Sequence, residues 1–216
     1  MAIDESFTRI GNCLIDPSAR VCDGAVIGKP YRQLIGSPPE DIESETVVRR
    51  NAFIGYHALV GAGSVIDEGA VIDDLSVIEC EVSVGRNTLV TYQAQICNEA
   101  SVGMNCVIGG FVAERVIIGD RSRVFGKIVH SQYDPSLPWD APDSEEKSAL
   151  IMDDAFIGFN ALVVGAVTVG KEAYVCAGAI VTKDVPSGHV AYGVNKIVPI
   201  SEWSGALRNS GFFSST

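Results

Sequence analysis

Three histidines, His57, His130 and His189, are the side chains of this chain best suited to move a proton at neutral pH. Imidazole is the one group whose ordinary pKa lies there, so a histidine beside a neutral nucleophile can accept its proton as the nucleophile attacks. His130 stands apart from the other two. Directly after it the regular pattern of the chain gives way to SQYDPSLPWDAPDSEEKSAL, rich in proline and acid and carrying Tyr133 and Trp139. Two readings of His130 are open: a general base at the neck of a loop, or a buried, hydrogen-bonded ring closing a coil. Tyr133 and Trp139 either stack on the ring of an acceptor or pin the loop to its neighbour. His57 and His189 lie in turn-rich sequence and read as solvent-facing. No two histidines are close in sequence, so the paired-ligand spacing of a catalytic zinc site is missing and no metal is expected. No G-x-S-x-G is present to suggest a serine acyl intermediate. Cys13, Cys22, Cys80, Cys97, Cys106 and Cys176 form no C-x-x-C pair and read as reduced thiols.

The elements that must hold His130 follow a period of six. Val48, Ile54, Val60, Ile66, Ile72, Ile78, Val84, Val90, Ile96, Val102 and Ile108 share one slot, and four places after each stands a small or compact residue, from Ala52 to Val112. The chain has 27 Val and 20 Ile in 216 residues, too few to fill eleven consecutive slots by composition alone. A helix would repeat its apolar face every three and four residues, whereas a strict six with Gly, Asp and Asn between calls for short strands meeting at corners. One such unit cannot bury its aliphatic side chain alone, so the coils must stack as a solenoid. Ile15, Val21 and Ile27 make an earlier set with Ala19 and Ala25, while residues 1–14 show no clear repeat. Residues 30–46 form an excursion loop with paired prolines. After Ile108 the register shifts by four between Glu114 and Ile117, Ile118 and Val124 resume it, and His130 takes the next inward slot. Residues 131–150 form a second excursion. The repeat returns at Ile151, Ile157, Val163, Val169, Val175 and Val181. Residues 187–216 are expected to be a short helix or other cap, because a bare last coil exposes unpaired backbone. One all-β domain over 1–216 is the expectation.

Composition narrows the partners. A net charge of −11 excludes nucleic acid and anionic membrane surfaces, both of which need clustered Lys and Arg. The start MAIDESFTRI lacks a basic region followed by an apolar one, and no stretch has the length of a membrane span, so a cytoplasmic protein with a small-molecule acceptor is expected.

The closing hexads, IMDDAFIGFNALVVGAVTVGKEAYVCAGAIVTKDVP, are similar nearly position by position to the end of the galactoside, maltose and streptogramin acetyltransferases of the hexapeptide-repeat acyltransferase family. The resemblance implies a left-handed parallel β-helix of three hexads per coil and a homotrimer. It also implies acetyl-CoA or another acyl-CoA bound in the groove between neighbouring subunits, with a histidine just ahead of an excursion loop as general base. His130 takes that position. Phe159, Ala177, Thr182 and Lys183 match residues lining the CoA tail in the family, and Gly193 and Lys196 match its closing clasp. The chain departs from the pattern there, since Gly193-Val194-Asn195-Lys196 lacks the usual Pro-Ala. The implied acceptor is an amine or hydroxyl of a small, sugar-like molecule, with Tyr133 and Trp139 on its side; IGKP and the loop after it resemble the nucleotide-linked amino-sugar N-acyltransferases, which mildly favours the amine. The rivals on this fold are a non-catalytic scaffold, and a zinc carbonic anhydrase, whose two histidines five apart this chain lacks.

Overall fold

The hexads wind into a left-handed parallel β-helix in a computed structural model that describes residues 6–34, 36, 38, 43–131 and 148–205. Among the described residues its walls are three sheets of nine, eight and ten short strands. The first sheet runs from Thr8–Arg9 to Ile180–Val181, the second from Cys13–Ile15 to Thr168–Val169, and the third from Arg20–Val21 to a closing hairpin. Partners lie one coil apart: Val77 pairs in parallel with Leu59 on one side and Gln95 on the other.

The inward slot explains the core. Ile54, Ile66, Ile72, Ile78 and Ile96 are fully buried, and the small residues two places before them, such as Ala52 and Ala70, are buried with them. β-Branched side chains fit because their stiff χ1 packs well on a pleated surface. Where the small residue is polar, its hydroxyl is satisfied across the coil: Ser64 Oγ donates to Glu79 O at 2.8 Å and Ser76 Oγ to Thr91 O at 2.9 Å. The corner residue just before each small one turns left-handed, as at Asn51, His57, Glu81, Asn87, Glu99 and Asn105, all with φ between 54° and 59°. That conformation is cheap for Gly and tolerated by Asn, and it recurs every six residues because the corner does.

The winding begins earlier than the repeat predicts. Thr8 and Arg9 pair with Val26 and Ile27, so the first coil is built with Arg9 opposite an inward isoleucine, and Phe7 packs against the core beside it. The predicted register after Ile108 also differs. Val112, not a residue beyond Glu114, follows Ile108 inward, pairing with Ile96 and Ile128. Two corners are therefore short by two residues, Ile108 to Val112 and Val124 to Ile128. Ile128 takes the inward position predicted for His130, which falls two residues later, at the end of the strand Lys127–Val129. Glycine makes the short corners possible: a Cβ on Gly110 would lie 1.8 Å from Gly126 O, and one on Gly126 would lie 2.5 Å from Ala161 O.

The predicted cap is a β-hairpin. His189–Tyr192 continues the third sheet in parallel, Lys196–Pro199 returns antiparallel, and a 3-10 turn, Ile200–Glu202, follows. Val198, Ile200 and Trp203 fold over Tyr174 and Val190 and close that face. Among the described residues no helix is long and apolar enough to cross a membrane.

Candidate functional site

Both excursions leave from the same edge of the prism. The first departs after the strand Val26–Lys29 of the first sheet and returns at Thr46–Val48 of the second; the second departs after Lys127–Val129 and returns at Leu150–Ile151. Five strand steps separate the two departures along the first sheet, about 24 Å at the usual strand spacing. His130 is the first residue beyond the ladder at the second departure.

Its surroundings are fixed by backbone. Val129 pairs with Val164, Gly165 N–H donates to Val129 O at 2.9 Å, and Ala113 N–H donates to Ile128 O at 3.0 Å. The returning chain is tied to the same place: Ser148 Oγ donates to Glu114 O at 2.9 Å. Gly165 lies close under the departing chain, at φ +83°, where an added Cβ would come 3.2 Å from Ser131 Oγ. His130 is half-buried, and its Nε2 is shielded from solvent with no hydrogen-bond partner among the described residues. A buried polar atom without a partner is costly unless a water or ligand supplies one, and Trp203 Nε1 in the closing hairpin is a second such atom.

The edge leading to His130 is acidic and ordered. Glu79 and Glu81 share one corner, and Glu99 and Glu114 stand on the next two. Gln95 Nε2 donates to Glu79 Oε1 at 3.1 Å, Asn98 N–H to Glu79 Oε2 at 3.2 Å, and Asn98 Nδ2 to Glu114 Oε1 at 3.2 Å. From the first excursion, Tyr31 packs onto Ala62 and Cys80, and burial together with Glu81 and Glu99 pushes its phenol well above the usual range. Burial, then Glu79 and Glu114, push the Cys97 thiol up to about 12. Cys97 is therefore a thiol rather than a nucleophilic thiolate at neutral pH. It is expected to resist iodoacetamide at pH 8 in the folded chain and to react once the chain is unfolded. Rapid modification of Cys97 in the native protein, located by peptide mass, would contradict that assignment.

The remaining candidates divide over two edges and the end of the prism. Thr182 and Lys183 follow the last strand of the first sheet, on the edge of His130 and two strand steps from it, about 10 Å. Phe159 and Ala177 stand one coil apart on the opposite border of the first sheet, where Gly178 N–H donates to Phe159 O at 2.9 Å. Phe159 is 63% exposed and stacks on Phe125, with centroids 4.6 Å apart and planes 18° from parallel. Gly193 and Lys196 lie in the hairpin: Gly193 O accepts from Ile180 N–H at 2.7 Å, and Lys196 Nζ sits 5.9 Å from the Tyr192 ring centre. Tyr133 and Trp139 lie outside the described residues. His57 is exposed at a left-handed corner, and His189, half-buried, has Nδ1 2.8 Å from Ser187 O. Sequence reasoning passed over the acidic edge and the bond between Asn195 and Thr182. Reading the chain in eighteens instead of sixes would have aligned Glu81 with Glu99.

A cleft of about 480 Å³ lies elsewhere, between the second and third sheets near the first coils, lined by Leu14, Val47, Arg49, Arg50, Glu68 and Arg86 among others. Its arginines are already paired: Arg50 Nε is 2.6 Å from Glu68 Oε1, Arg86 Nη2 is 3.5 Å from Glu68 Oε2, and Arg49 Nε is 3.5 Å from Asp67 Oδ1.

No protein-family model matches the chain. Over 140 residues it is 31% identical to the bifunctional protein GlmU of Heliobacterium modesticaldum, a span covering 52% of this chain and 30% of that protein. Over 128 residues it is 30% identical to a putative serine acetyltransferase of Schizosaccharomyces pombe, covering 56% and 45%. The chain is a hexapeptide-repeat β-helix with sequence similarity to acetyltransferases. A shorter stretch of this hexapeptide-repeat chain, 44 residues or 20% of it, is 57% identical to a 2,3,4,5-tetrahydropyridine-2,6-dicarboxylate N-acetyltransferase of Staphylococcus aureus, covering 18% of that protein. The chain spans less than half the length of these curated relatives.

Proposed function

We propose that this protein transfers an acyl group, acetyl in the simplest case, from acyl-CoA to the amine of a small sugar-like acceptor, with His130 as general base. The observation that carries the reading is the shielded, unpartnered Nε2 of His130 at the neck of the second excursion. An acceptor nitrogen placed there attacks the thioester carbonyl directly. Its proton passes to Nε2, the C–N bond forms, the C–S bond breaks, and the imidazolium returns the proton to the departing thiolate. Backbone N–H groups of adjoining coils can stabilise the oxyanion. The acidic edge at Glu79, Glu99 and Glu114 attracts an acceptor that arrives as an ammonium cation, which releases one proton to solvent before its neutral nitrogen attacks. Lys183, on the same edge beyond His130, meets the negative charge of CoA.

The split of the candidates over two edges supports a homotrimer, in which the His130 edge of one subunit faces the Phe159 and Ala177 edge of the next. The experiment is a thermal melt with and without acetyl-CoA. A ligand at a hundred times its Kd adds about 2.7 kcal/mol, which for a chain of this size is roughly 5–10 °C. An unchanged melting temperature at millimolar acetyl-CoA would count against the proposal.

A further inference from the structure

The last strand of the first sheet, Ile180–Val181, meets the hairpin turn instead of a further coil: Ile180 forms a parallel bridge with Val194, and just beyond it a side chain stands in for backbone. In inner coils the residue after the inward position donates its N–H to a backbone carbonyl of the next coil, as Cys97 does to Val112 O at 2.9 Å and Ala113 to Ile128 O at 3.0 Å. Thr182 occupies that position in the last coil. Its N–H goes instead to Asn195 Oδ1 at 2.8 Å, while Asn195 Nδ2 donates to Thr182 Oγ1 at 2.8 Å. The hairpin turn holds Asn195 there: Ile180 N–H donates to Gly193 O at 2.7 Å, and Asn195 N–H to Ile180 O at 3.0 Å.

A side-chain carboxamide accepts at its carbonyl and donates at its nitrogen, as does the secondary amide of a ligand. The pantetheine arm of CoA carries two such amides. Thr182 and Lys183 stand on the edge of His130, so an arm anchored near Lys183 with its thioester at His130 runs past Thr182. We infer that Asn195 is a latch: its carboxamide occupies the N–H and hydroxyl of Thr182 that an amide of the CoA arm takes when it binds, and acyl-CoA must displace it. The inference rests on the acyl-CoA reading of this site. It also gives a physical role to the residue that replaces the usual Pro-Ala, neither of which has a side chain able to hold Thr182.

Asn195 sits at φ +50°, a conformation that glycine adopts without strain, so Asn195→Gly removes the latch and keeps the turn. Calorimetric titration of the full chain with CoA, and separately with adenosine 3′,5′-bisphosphate, tests the inference. The variant is expected to bind CoA roughly three- to tenfold more tightly, because the two exposed hydrogen bonds of the latch no longer have to be exchanged for those of the ligand. Its affinity for the bisphosphate, which has phosphates but no amide, is expected to stay the same. Asn195→Ala should move CoA affinity in the same direction, which covers a glycine that loosens the hairpin. Equal or weaker CoA binding by both variants, with the wild-type chain binding normally, overturns the latch. An equal gain for the bisphosphate overturns it as well, because the effect would then be one of charge. No binding of CoA by any of the three chains overturns the acyl-CoA reading and the latch together.

Discussion

Replacing His130 with alanine is expected to cut acetyl transfer to an amine acceptor by about 10²- to 10⁴-fold, the usual contribution of a positioned general base. The melting temperature should barely move. The inward position that holds the coil together belongs to Ile128, which is fully buried and paired through Val112 and Val163, while His130 lies past the end of the ladder. Activity and stability therefore separate at this residue. Thiol release from acetyl-CoA measured beside a melt of the same preparation reads both. Retained transfer would remove His130 from the chemistry, and a large fall in melting temperature would return it to a packing role.

Gly110→Ala is expected to be among the most damaging substitutions in the protein, at about 3 kcal/mol or more. The added methyl would overlap Gly126 O at 1.8 Å, and the atom it meets is backbone, so no flexible side chain can move aside. Gly126→Ala should act the same way against Ala161 O and Gly158 O, at 2.5 and 2.9 Å. These two corners set the register of the strand that ends at His130. Opening them would also displace the ring, so activity should fall with stability, unlike in His130→Ala. Gly178→Ala is the contrast: its Cβ meets nothing within 4 Å and carries only the strain of φ +70°. Denaturant melts of the three variants rank them, and a Gly110→Ala chain as stable as wild type would show that the short corners are not held by backbone contact.

The core was legible because Val or Ile fills an inward slot every six residues, with a small residue recurring four places after it. The short corners were not. Dropping two residues moves Val112 from a small slot to an inward one, and a valine is acceptable in either, so the fault shows only later, as the shift between Glu114 and Ile117. The pair Gly109-Gly110 and the lone Gly126 were the only local trace. The second short corner, Val124 to Ile128, carried His130 into the predicted interior, whereas the coil places it at the neck of the loop. The first coil escaped notice for a different reason, since Arg9 stands where the repeat expects an aliphatic residue. Of the candidate site, the histidine and its loop could be found by order along the chain. Which edge each cofactor residue occupies could not, because a local match says nothing about corners until the coils are counted. Asn195 stood out only as a departure from the family's Pro-Ala; its bond to Thr182 was not legible, as the two come near only when the hairpin folds back.

The role assigned to His130 is tested most directly by a crystal structure of the protein with a non-reactive acyl-CoA analogue. The thioester carbonyl carbon is expected on the edge between the first and second sheets, with room for an acceptor nitrogen about 3 Å from both it and His130 Nε2. Density placing that group along another edge, or leaving Nε2 enclosed with no ligand atom in reach, would contradict the assignment.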